Sequence, residues 1–287
     1  MSGLATATPA LRRAIPRRRS VLRVRLGLVA LVVIALAGRA SQALRRADAG
    51  PFGGQPFTAP RPGHVLGTDE TGADVLALVG AGVERTLASA ALAAGAALVV
   101  GIVAAAVLAM LLRRCAESVG SRSRPLADGL RFGGALVLCV VLRPHATAVG
   151  GPANLTSLLL GVCIAPGVAR RLGAAARDAL AAPLAERLRA AGASDQQILR
   201  RHGRALIGSV VATTFAAAAA TAAIWETALA ALGLGDPARR TLGALLNAAQ
   251  VAGADAQGAW WDYLPAAAAA TLVVAALVSL ATPRSRA

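Results

Sequence analysis

The stretch RAAGASDQQILRRH, Arg189–His202, is polar, charged and helical in character, yet it lies between two of the most apolar regions of the chain, residues 152–169 and 207–232. Apolar runs of that length are long enough to cross a bilayer, so the charged piece between them reads as a loop that leaves the membrane and returns to it. Its local signals are ordered. Pro183 suits the first position of a helix, Glu186 its first turn, and Arg187 and Arg189 its last, as the helix dipole favours. Gly192 is placed to stop that helix, and Ser194 with Gln197 forms a Ser-x-x-Gln capping box that starts the next. The expected unit is helix, tight turn, helix, with GASD at an exposed corner.

Outward from this loop the composition points the same way. Of 287 residues, 56% are hydrophobic and 3% aromatic, and the mean hydropathy is +0.61, which is too apolar for a soluble domain that must solvate its outside. Apolar runs at about 22–38, 86–112, 132–149, 152–169, 207–232 and 263–281 predict an all-α polytopic membrane protein with six transmembrane helices. The third run needs PHATAV to complete FGGALVLCVVL across Arg143. The spans are rich in alanine and glycine, which permits close helix approach in lipid.

All 30 basic residues are arginine and the net charge is +16. That excess alone would fit a nucleic-acid binder, but its distribution follows the membrane. The tail to Arg25 holds seven arginines and no acid, 113–131 holds five against two acids, and 170–206 holds eight against three. The segments 38–85, 143–151 and 233–262 are balanced or nearly bare. The positive-inside rule then puts both termini and the two basic loops in the cytoplasm of a multi-pass cell membrane protein. Trp225, Trp260, Trp261 and Tyr263 all fall at the outer interface on this topology. The chain divides into a basic tail 1–21, a first span 22–38, an extracytoplasmic segment 39–85, the remaining spans 86–281 and a tail 282–287. RRRSVLR (Arg17–Arg23) resembles a twin-arginine export signal and ASQA a cleavage site, but five further spans favour an uncleaved anchor.

Catalytic signals are missing from the sequence. Cys115, Cys139 and Cys163 lack metal spacing, His64, His145 and His202 are dispersed, and no nucleophile, phosphate-loop or cofactor pattern occurs. No catalytic, cofactor or metal residue is expected. GTDETGAD imitates a calcium loop but lacks the 12-residue ligand pattern ending in glutamate. The helix-turn-helix around Gly192 is tethered to membrane spans on both sides, leaving little reach into a duplex groove, so nucleic acid is not an expected partner.

ERLRAAGASDQQILRRH, Glu186–His202, resembles the cytoplasmic EAA loop of ABC-importer permeases, with Gly192, Ala193, Ser194 and His202 in the spacing of the peptide-importer branch. Three further stretches resemble the C-type permease subunits of dipeptide, oligopeptide and nickel importers, in the same order. They are HVLGTDETGADVL (His64–Leu76), with Gly67, Thr68, Asp69, Gly72 and Asp74 matching; APGVAR (Ala165–Arg170); and WETALAALGLG (Trp225–Gly235). Arg187 and Leu188 stand where two alanines are usual, Arg204 and Ala205 where Leu-Pro is, and Ala73 where arginine is.

The resemblance implies the type I importer permease fold. It also implies a partnership with a second permease, two cytoplasmic ATPase subunits that bind the ATP, and an extracytoplasmic substrate-binding protein. Glu186, Ala190, Ala191, Gly192, Ala193, Ser194, Asp195, Gln196 and His202 would form the loop that couples to the ATPase. The departures leave a second reading, a transport-inactive homologue with an assembly or regulatory role. A secondary transporter is a third, but the paired mid-membrane acids and inverted repeat that it needs are not found. Glu226 is the acid placed well inside a span, near its outer boundary. It reads either as an outer gate or permease contact, or as an interfacial acid hydrated from outside.

Overall fold

The computed structural model describes Leu36, Arg39 and residues 55–112, 155–194, 197–198, 204–235 and 239–282. Among these residues the fold is wholly helical: α1 (Val75–Leu112), α2 (Leu155–Leu180), α3 (Pro183–Ala190), α4 (Arg204–Ala231), α5 (Leu242–Val251) and α6 (Trp260–Ala281). Four segments, Val75–Ala106, Leu155–Leu180, Gly208–Ala231 and Trp260–Ala281, are long and apolar enough to cross a membrane, as a multi-pass membrane protein requires. They overlap the runs expected at 86–112, 152–169, 207–232 and 263–281, the first beginning 11 residues earlier than expected, within the segment read as extracytoplasmic. The runs at 22–38, apart from Leu36, and at 132–149 lie outside the described residues, as do Cys115, Cys139 and His145.

The outer surface of these helices is what lipid demands. Val99, Ile102 and Val103 on α1, Val162 on α2, Ile224 on α4, and Leu264 and Val278 on α6 are all exposed, a display that water would penalise. Hydroxyls are closed off within the helices. Thr221 donates to the Ala217 carbonyl at 2.9 Å, Thr271 to Ala267 at 2.9 Å and Ser279 to Ala275 at 2.7 Å, so none of the three needs water.

Alanine builds the interior. On α4 the buried residues include Ala216, Ala218, Ala219, Ala220, Ala222 and Ala223. Gly161 of α2 sits so close to α1 that a Cβ there would come within 2.6 Å of the Ala93 carbonyl oxygen and 2.7 Å of Ala96, while Gly101 of α1 abuts Ala165 and Val168. This is the small-residue packing expected of helices in lipid. Residue numbers rise together along that contact, so α1 and α2 run parallel. By contrast Ser157 and Glu226 line one cleft and Arg170 and Thr214 another, so α4 runs antiparallel to α2.

One end of the bundle carries a cap made of residues 55–74 and α5. The other carries α3 and its turn. Helix α1 begins at Val75, well before the apolar run at residue 86, because residues 64–74 feed directly into it. Gly67 has φ of +73°, and a Cβ there would collide with the Thr58 carbonyl and the Trp261 ring, so only glycine fits. The Thr68 hydroxyl donates to the Gln55 carbonyl at 2.8 Å and accepts the Thr58 N–H at 2.8 Å. One carboxylate oxygen of Asp69 accepts the Thr71 N–H, the Thr71 hydroxyl and the Ala73 N–H at 2.7–2.8 Å. His64 Nδ1 lies 3.6 Å from Asp74 Oδ1. The GTDETGAD stretch is therefore built as a folded turn. Phe57, Trp261 and Tyr263 pack around Ala249, Ala254 and Ala259, joining this turn to α5 and to the start of α6.

Helix α5 was not anticipated within the 233–262 segment. It is ten residues long, with Asn247 and Gln250 among its apolar residues, too short to span a membrane and therefore easily read as loop. Leu242 at its start is fully buried, and the Leu242 N–H donates to the Thr86 hydroxyl of α1 at 3.2 Å.

Candidate functional site

The hairpin forms as its residues dictate. Helix α3 starts with Pro183, carries Glu186 in its first turn and Arg187 and Arg189 in its last. It stops in a Schellman motif: Gly192 N–H donates to the Arg189 carbonyl at 2.9 Å and Ala193 N–H to the Leu188 carbonyl at 2.9 Å, with Gly192 at φ +87°. The next helical turn opens with the capping box, in which Ser194 N–H donates to Gln197 Oε1 at 3.1 Å and Gln197 N–H to Ser194 Oγ at 3.3 Å. Ala185 and Ile198 are the buried anchors, 1% and 4% exposed. Glu186, Ala190, Ala191, Gly192 and Ser194 are exposed and Ala193 is half-buried. Nothing lies within 4 Å of where a Gly192 Cβ would be. Asp195, Gln196 and His202 lie outside the described residues.

Glu226 stands 22 residues after Arg204 on α4, or about 33 Å along the axis at 1.5 Å per residue, so the hairpin and this acid mark opposite ends of one helix. It is half-buried. Its neighbours come from its own chain: Ser89 of α1, Thr156 and Ser157 of α2, and Arg239 and Thr241 before α5. Ser89, Thr241 and Arg239 stand beside its carboxylate, while Oε2 is buried without a hydrogen-bond partner among the described residues. The cleft beside it holds about 20 Å³, close to the size of one water and too small for a solute. Glu226 can tie helix ends together, but it does not itself line a solute pocket.

A groove of about 230 Å³ between α2 and α4 runs from Trp225 past Cys163, Gly167 and Thr214 to Arg170 and Arg171. Sequence reasoning missed the hydroxyl neighbours of Glu226 because they are brought together across elements by packing. It also missed Asp262, read only as part of the aromatic WWDY segment, which is buried at the start of α6. Among the described residues no group of three His, Cys, Asp or Glu side chains is placed to hold a metal ion. Comparison of the sequence with models of protein families finds no match, and comparison with curated proteins finds none either.

Proposed function

We propose that this chain is a permease subunit of an ATP-driven ABC importer for peptides or a similar small solute, and that it forms half of the pathway with a second permease. The observation that carries the reading is the rigid hairpin. A Schellman stop and a reciprocal capping box fix both sides of an exposed turn, and the following chain enters α4, whose far end holds Glu226. Such a unit can pass a displacement through the bundle, where a flexible loop would absorb it. ATP would be hydrolysed by partner subunits docked at residues 190–196, and an extracytoplasmic binding protein would deliver solute to the cap.

The parallel run of α1 and α2 is compatible with the expected span at 132–149, which would return the chain across the bilayer between them. In a membrane of this orientation the hairpin is cytoplasmic and the cap extracytoplasmic.

The test replaces Gly192 and Asp195 together with bulky residues. Uptake should fall at least tenfold with membrane insertion unchanged, and unchanged uptake and ATPase co-purification would overturn the assignment. A transport-inactive subunit is the second reading, favoured by Arg187, which is exposed on α3 where alanine is usual. Solute-stimulated ATP hydrolysis by the assembled complex in liposomes separates the two.

A further inference from the structure

A partly open cavity of about 220 Å³ lies between the cap and the ends of α1, α4 and α6, lined by Asp69, Glu70 and Asp262, by Arg240, and by an apolar wall that includes Val75 and Leu245. Asp262 is the unusual member. It is only 7% exposed, and its Oδ2 is buried with no hydrogen-bond partner among the described residues. A carboxylate oxygen in that position is costly unless something cationic or hydrogen-bonding meets it. The helix dipole at the start of α6 favours the charge, but it supplies no donor to Oδ2. Glu70 and Asp69 line the same cavity as Asp262, so three carboxyl groups face one space.

Among the described residues the three carboxylates outnumber the single guanidinium in the lining, so the cavity favours positive charge. A bare metal ion does not fit, since the described residues contain no group placed to chelate one and one Asp69 oxygen is already taken by three donors from Thr71 and Ala73. A primary ammonium fits better. It carries three donors, reaches acceptors that are spread apart, and brings an alkyl stem that can lie on the apolar wall.

We infer that the cap cavity is a binding site for a primary ammonium group, with Asp262 as its main acceptor and Glu70 at its rim. The inference stands on the cavity and does not depend on the importer reading. Two sources carry this chemistry, the headgroup of an aminophospholipid and the amino terminus of a small solute.

The experiment titrates the purified full chain in dodecyl maltoside with n-butylammonium, followed by calorimetry, with 1-butanol as the uncharged control. Saturable binding of the ammonium and none of the alcohol is expected. Asp262→Asn should weaken binding at least tenfold and Glu70→Gln a few-fold, whereas Arg240→Gln should strengthen it. Glu70 is half-buried and Arg240 exposed, so those two variants keep the test decisive if Asp262→Asn does not fold. Competition by phosphatidylethanolamine assigns the site to lipid, and competition by alanine amide assigns it to a solute. Absence of saturable binding, or equal binding by all the folded variants, would overturn the inference.

Discussion

At the scale of single residues, the hairpin depends on groups that act within a few positions of one another. Gly192 occupies a left-handed conformation with open space beside it, so Gly192→Val should strain the backbone by about 1–2 kcal/mol without a clash. Circular dichroism of the full chain should barely change while ATPase co-purification weakens. Ser194→Ala removes one arm of the capping box and should cost about 1 kcal/mol of local helix stability. Faster amide exchange at Gln197 and Ile198, with no change at α6, is the expected readout. These features were legible in the sequence because caps and stops are set by neighbours three to five residues apart. The surroundings of Glu226 were not, since Ser89 and Ser157 reach it only when three helices pack. Glu226→Gln keeps the shape of the side chain while removing its charge, and a role as a tie predicts altered transport with normal expression. Wild-type uptake in that variant would favour an acid that is merely hydrated at the interface.

Pairs of helices show a different dependence. The α1–α2 contact rests on absent side chains: Gly161 leaves no room for a Cβ against the Ala93 carbonyl. Gly161→Val should force the helices apart and cost about 1–3 kcal/mol, seen as a lower thermal midpoint in detergent. Gly173 offers the contrast, because a Cβ there would meet nothing within 4 Å, and Gly173→Ala should leave that midpoint nearly unchanged. The abundance of alanine and glycine was plain in the sequence, but which glycine meets which carbonyl depends on helix register, which no local pattern encodes. Helix α5 was hidden for a related reason. Ten mostly apolar residues fit a loop, a buried helix or a partial span equally well, and burial of Leu242 with its bond to Thr86 decides among them. Thr86→Val leaves that buried N–H without an acceptor and should destabilise the cap by about 1–3 kcal/mol. Earlier proteolysis of residues 239–259 than of the hairpin would report it.

For the whole molecule, the proposed orientation can be tested on the four helices long and apolar enough to span a membrane. With the native cysteines replaced, a cysteine at Val65, which is 68% exposed in the cap, should react with an impermeant maleimide on intact cells. One at Ser194 should react only after permeabilisation. Labelling of both from the same side would defeat the proposed topology. The order of spans could be read from hydropathy because lipid imposes its length on each helix. How the spans assemble could not, because in lipid the drive for association comes from packing detail and not from apolarity.

The alanine face of α4 has a mechanical consequence. Interlocked branched side chains resist axial sliding, since each must climb out of its socket before the next can receive it. A row of methyl groups is nearly smooth at that scale. If the chain works as the proposed permease, helix α4 would act more as a piston in a sleeve than as a gear in a train. A push at Arg204 would reach Glu226 as a translation, and the few bonds at the cap would set its stroke.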